Sequence, residues 1–211
     1  MRISIRHFVR VAAALSCLAF LLLTFEIALV PTGSMEKTVL VGDNVLVFEL
    51  LDGPRIPWTH LRLPRLRSPR RGELVSFLSP APAHTVYLKR VVAVARDTVE
   101  IRDGSLFVNG AREVEPYAPR SKRVSTMAPR CLRSGEIFVL GDNRDQSEDS
   151  RDFGPVPVES VIGSPLAVVW STRARTPDLL DSRGDVRLGF YWTSLRHPFA
   201  STRWSRIGKL L

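Results

Sequence analysis

Two cysteines in 211 residues, Cys17 inside an apolar run and Cys131 in the body of the chain, are too few and too differently placed for a disulfide framework. The chain has no C-x-x-C, no H-E-x-x-H and no Gly-rich phosphate loop, which removes the common zinc, redox and nucleotide signatures. No internal repeat is visible, so a solenoid is excluded. Lysine is scarce as well: Lys37, Lys89, Lys122 and Lys209 stand alone among thirty basic residues, the rest being arginine. The formal charge of +9 suits a nucleic-acid binder, a membrane-surface protein or simply an arginine-rich composition, and by itself does not choose among them. A hydrophobic fraction of 45% excludes a disordered tail, and the length suits one domain with an anchor.

Residues 11–30 form the one long apolar run. Twenty helical residues reach ~30 Å, the thickness of a bilayer core, and Pro31 ends the run. Glu26 falls in the final turns, where its carboxylate reaches the headgroups. Arg2, Arg6 and Arg10 make residues 1–10 a basic flank, and the positive-inside rule keeps that flank cytoplasmic. Ala28-Leu29-Val30 is a poor small-x-small site, which favours an uncleaved anchor over a cleaved signal peptide. The sequence therefore predicts a single-pass protein of the inner membrane with everything after residue 30 outside.

Beyond Pro31 the apolar stretches are short, rich in Val, Ile and Phe, and bounded by Gly, Pro, Asp and Asn. Strands are expected at residues 39–50, 73–78, 87–95, 98–101, 105–108, 137–140 and 161–170, with turns at Asp103-Gly104 and Asn109-Gly110. The fold class is mainly β. Residues 54–72 hold six arginines, four prolines and no acid, and read as a loop. This loop is either a solvated basic insertion or a segment held against anionic headgroups with Trp58, Leu61, Leu63 and Leu66 dipping in. Nucleic acid is a poor partner for a domain on a membrane tether. Residues 171–211 carry no assignable chemistry.

Three segments point to chemistry. In the turn at 31–35, a serine flanked by Pro31 and Gly33 has a hydroxyl and a backbone N–H uncommitted to any ladder, although most such serines have no catalytic role. On the strand at 87–95, alternation puts Lys89 and Arg90 on opposite faces. Both could be edge-strand charges; alternatively Lys89 is partly buried, where desolvation lowers its pKa and frees a neutral amine as a base, which arginine could not offer. The run at 141–157 is densely polar. It fails as a calcium loop, because Ser150 stands where glycine is needed and Val156 where glutamate is needed. It suits either a solvated loop or a hydrogen-bond network that satisfies itself.

In this order after an apolar run, the segments PTGSM, RGELVSF, YLKRVVAV and GDNRDQSEDSRDFGPVP resemble the bacterial type I signal peptidases, membrane-bound serine-lysine proteases. The resemblance covers most of residues 31–169, and its polar-loop motif is highly specific. It implies a catalytic domain at 31–170 of antiparallel β-sheets that removes signal peptides from exported preproteins, with lipid as the other partner and no cofactor or metal. Ser34 is implied as nucleophile and Lys89 as general base. Thr32 is implied to complete an oxyanion hole with the Ser34 N–H, and Ser147 to orient the lysine. Asp142, Asn143, Arg144, Asp145, Asp149, Ser150 and Arg151 are implied as the supporting loop. His60, His84 and His197 lie in contexts without a motif, so a Ser-His-Asp triad has no obvious candidate. Two other functions remain open: a specialised peptidase maturing a dedicated substrate such as a pilin, and a tethered basic domain binding lipid or peptide without catalysis.

Overall fold

The computed structural model describes residues 5–53, 59, 61–80, 85–118, 125–173, 179, 196 and 198–211. Trp58, His60, His84, His197 and most of the tail before residue 196 lie outside the described residues.

The apolar run does not form one helix. Helix α1 spans Ile5–Thr24, and the chain then enters strand β1, Phe25–Leu29. Among the described residues no helix is long and apolar enough to cross a membrane. The run changes conformation because β1 finds a partner: it pairs antiparallel with β2, Asp43–Phe48, from Phe25 opposite Phe48 to Leu29 opposite Asn44. The Phe25 and Phe48 rings meet at 5.4 Å. Glu26 is thus an exposed strand residue rather than a helical one.

Every strand pairing is antiparallel. The remaining strands are β3 Leu74–Leu78, β4 Val86–Ala93, β5 Thr98–Arg102, β6 Ser105–Val108, β7 Ala111–Arg112, β8 Met127–Cys131, β9 Glu136–Leu140, β10 Val156–Pro157 and β11 Val161–Ser171. A seven-stranded sheet runs in the order β1-β2-β11-β3-β4-β9-β10, and a four-stranded sheet in the order β7-β6-β5-β8. The predicted strands are all present, 105–108 with its bounds unchanged and the others with shifted ends, while β1, β7, β8 and β10 escape the sequence reading. Asp103-Gly104 and Asn109-Gly110 turn the β5–β6 and β6–β7 hairpins with positive φ at all four residues, the geometry that two-residue hairpins favour.

Three apolar clusters hold the sheets. Val92, Ala93, Phe138 and Leu140 pack on Val99, Ile101, Leu106 and Val108, which joins the two sheets. Val75, Phe77, Val91 and Val139 form a second cluster, and Val30, Met35, Val39, Val45 and Val168 a third beneath the serine turn. Strand β4 is therefore central, not an edge, and both of its basic residues are buried, Lys89 at 3% exposure and Arg90 at 9%.

Three arginines of the 54–72 loop, Arg62, Arg65 and Arg67, turn toward protein groups, while Arg70 and Arg71 are exposed. Arg65 pairs with buried Asp52 and donates to the Val158 and Val161 carbonyls, while Arg67 pairs with Glu73 at 2.7 Å. Arg62 donates to the Glu159 carbonyl. Leu61, Leu63 and Leu66 remain exposed.

Candidate active site

Ser34 sits in the 3-10 turn Gly33–Met35 between β1 and β2, anchored by the fully buried Met35. Lys89 reaches it from the middle of the large sheet, with Nζ donating to Ser34 Oγ at 2.7 Å. Burial pushes the Lys89 ammonium down from 10.5 to about 8, against the opposing pull of Asp149 and Glu148. The partner of the amine is a hydroxyl, and the Tyr87 ring lies 5.3 Å from Nζ. An amine whose proton is held less tightly than a free lysine's is thereby set against the Ser34 hydroxyl, its hydrogen-bond partner among the described residues.

Thr32 precedes the turn, and its Oγ1 lies 3.5 Å from Ser34 Oγ. Asn143 fixes the backbone of the turn twice: its N–H donates to the Ser34 carbonyl at 3.1 Å and its side-chain amide to the Gly33 carbonyl at 3.0 Å. Gly141 lies so close beneath that a Cβ there would come within 2.6 Å of the Ser34 carbonyl oxygen and 2.2 Å of Ser147 Oγ.

Ser147 is buried beside the site, but its hydroxyl is outside hydrogen-bond geometry with every described group, Lys89 included; it lies close enough to Asp149 to favour that carboxylate. Asp149 is fully buried, yet Arg151, in a two-pronged contact at 2.8 and 2.9 Å, and the Gly141 N–H overcome the desolvation and hold its carboxyl below the usual range. It also caps the short helix α2, Ser150–Phe153, in a capping box with Asp152. Ser150 Oγ accepts from the Val139 N–H, tying the loop to β9. Arg144 donates to the Gly141 carbonyl and pairs with Glu115. Asp145 is exposed on the turn Arg144–Gln146, where its charge favours the Arg151 cation.

Asp142 receives two bonds from Arg90, at 2.9 and 2.7 Å, and one from Thr38 Oγ1 at 2.5 Å. Arg90 also donates to the Gly72 carbonyl and stacks 4.0 Å from the Tyr117 ring. Burial, then Glu115, pushes the Tyr117 hydroxyl up to about 12. Thr38, Glu115 and Tyr117 were not foreseen, because none belongs to a motif and only folding brings them to Arg90 and Arg144.

A groove of about 930 Å³ opens over Ser34 and Lys89, walled by Ile27, Ala28 and Leu29 of β1 and Val86 and Leu88 of β4. Strand β1 is at the edge of its sheet, and β4 pairs with β9 only from Arg90 onward. Among the described residues, two unpaired strand edges thus face the groove.

The family profile described as "Signal peptidase, peptidase S26" matches residues 4–170. The chain is similar to thylakoidal processing peptidase 1, chloroplastic, of Arabidopsis thaliana, with 31% identity over 67% of this chain and 41% of that protein. It is also similar to the probable signal peptidase I-2 of Synechocystis sp., with 31% identity over 69% of this chain and 63% of that protein. Signal peptidase I V of Bacillus subtilis is 32% identical over 62% of this chain and 77% of its own length. The match thus spans less than two thirds of the Arabidopsis and Synechocystis proteins. With the profile covering the helix, the serine turn, the lysine strand and the polar loop together, the chain belongs to the signal peptidase family, peptidase S26.

Proposed function

We propose that the protein is a serine endopeptidase that removes signal peptides from exported preproteins through a Ser34–Lys89 dyad. The observation that carries this reading is the 2.7 Å contact between Ser34 Oγ and the buried amine of Lys89. The neutral amine accepts the Ser34 proton as Oγ adds to the scissile carbonyl. The Ser34 N–H and the Thr32 hydroxyl receive the oxyanion. The C–N bond then breaks, the Lys89 ammonium gives its proton to the leaving amine, and an ester to Ser34 remains. Water activated by the same amine hydrolyses that ester, which restores both residues.

The substrate enters extended, as an added strand between the free edges of β1 and β4, and the apolar groove walls favour small side chains beside the cut. Ser147 serves the amine only after its hydroxyl rotates toward Nζ. Helix α1 attaches the domain to the inner membrane with the amino terminus cytoplasmic; exposed Val9, Val11, Leu15, Leu18 and Phe20 support this, as does the basic flank.

The test is incubation of detergent-solubilised wild type and Ser34→Ala with a preprotein carrying an Ala-x-Ala site, followed by amino-terminal sequencing of the product. Cleavage after that site by the wild type alone is expected. A Ser34→Ala protein within about tenfold of wild type overturns the assignment.

A further inference from the structure

Residues 203–211, to which the sequence assigns no chemistry, return across β11 and end beneath the serine turn. Their backbone bonds to that strand: the Gly208 N–H donates to the Val168 carbonyl, the Val168 N–H to the Lys209 carbonyl, and the Leu211 N–H to the Leu166 carbonyl. Leu211 packs on the cluster of Val30, Met35 and Val39, so the segment shares a core with the residue next to Ser34.

Its cations all grip one stretch of chain. Lys209 Nζ donates to the carbonyls of Thr38 at 2.9 Å and Lys37 at 3.4 Å. Arg206 donates to the Thr38 carbonyl at 3.1 Å and clamps the fully buried Asp43 carboxylate, with a closest approach of 2.5 Å. Arg203 donates to the Val41 carbonyl at 2.9 Å. The gripped stretch is strained, since Lys37 has φ +86°, a conformation that side chains other than glycine rarely adopt unless their surroundings impose it. From Thr38 the connection continues to the site: its hydroxyl binds Asp142, and the next residue, Asn143, holds the Ser34 and Gly33 carbonyls.

We propose that residues 203–211 are a brace that holds the 33–38 turn in the geometry that aims Ser34 at Lys89, with Lys209 and Arg206 as positioning residues. This inference rests on the dyad reading for its kinetic arm, but not for its structural arm. In the full chain, Lys209→Ala is the primary variant, because Arg206→Ala also strips a partner from buried Asp43.

Amide hydrogen exchange is measured on wild type and Lys209→Ala alongside cleavage of the Ala-x-Ala preprotein. The amides of Glu36, Thr38 and Val39, which bond to the Gly33 and Met35 carbonyls, should exchange about tenfold faster in the variant. Exchange in the β5–β6 hairpin should not move. The rate constant kcat should fall by about tenfold or more with KM within about twofold, as misaiming of a reacting group predicts. Lys209→Arg, which can still donate to both carbonyls, should recover most of kcat. Unchanged exchange at 36–39 overturns the brace whatever the cleavage assay gives, and so does faster exchange with kcat unchanged. A wild type that cuts nothing overturns the peptidase reading instead, and the exchange data then judge the brace alone.

Discussion

Strand β4 separates two polar regions that treat neighbouring cations in opposite ways. On one side Arg90 is fully committed: Asp142 accepts from it twice, the Gly72 carbonyl once, and Tyr117 covers its plane. On the other side Lys89 faces an open groove, and its partner is a neutral hydroxyl. The first arrangement keeps a charge permanently, as guanidinium chemistry requires; the second leaves an amine free to lose its proton. Burial is similar on both sides, but at Lys89 desolvation outweighs the pull of Asp149 and Glu148 and leaves an amine that can titrate, whereas Arg90 is a guanidinium held by a carboxylate.

The comparison breaks most severely if the two chemistries are exchanged at the groove. Lys89→Arg keeps a cation but cannot act as a base, so it should lose at least about 10³-fold in kcat/KM, as completely as Lys89→Ala. An arginine variant with substantial activity in the preprotein assay would return Lys89 to a structural role.

On the network side, removing one partner should act first on stability, with its effect on Ser34 passing through Thr38 and Asn143. Asp142→Ala leaves Arg90 buried without its carboxylate and should destabilise the fold by about 3–5 kcal/mol, measured by urea unfolding. A loss below about 1 kcal/mol would show that Tyr117 and the Gly72 carbonyl suffice.

The pH dependence sharpens the contrast. Because burial lowers the Lys89 pKa from 10.5 to about 8, the rate should rise with pH to a midpoint near 8. For stability the sign follows from proton binding: between about 8 and 10.5 the unfolded chain holds the Lys89 proton and the folded chain does not, so stability rises with pH across that window. Below about 8 the penalty for burying the ammonium, about 3 kcal/mol, is present in full. Lys89→Met should therefore be inactive, melt higher than wild type near neutral pH, and lose this slope. A wild type and a Met variant with parallel stability profiles would contradict the depressed pKa.

The smallest expected effect probes the seam between the regions. Gly141→Ala drives a methyl group against Ser147 and the Ser34 carbonyl and should cost about 1–3 kcal/mol, with a fall in kcat at constant KM. Unaltered kinetics would mean that the turn can move aside without consequence.

The candidate site residues were legible through resemblance: a serine turn and a lysine strand each fit bland readings by themselves, and it is the specific polar-loop pattern beside them that points to a family. Their supports were less so. Glu115 and Tyr117 are ordinary residues until folding sets them against Arg144 and Arg90. The 54–72 loop reads as either solvated or held against headgroups, because composition does not reveal the carbonyls and carboxylates to which Arg62, Arg65 and Arg67 turn. The last residues of the apolar run read as helix, since Phe25–Leu29 continues it with Glu26 as its one charge; pairing with β2 makes it a strand.

Local pattern alone determined that this chain is mainly β and where most of its strands lie, since alternation and turn residues act over a few neighbours; Ser34 and Lys89 stood out only through the motifs that resemble a known family. Tertiary structure alone decided that Lys89 meets Ser34 across 55 positions of sequence, that the amine is dry enough to titrate near 8, and that the last nine residues reach the serine turn. Those facts depend on desolvation and on hydrogen bonds between distant segments, which exist only once the sheets have closed.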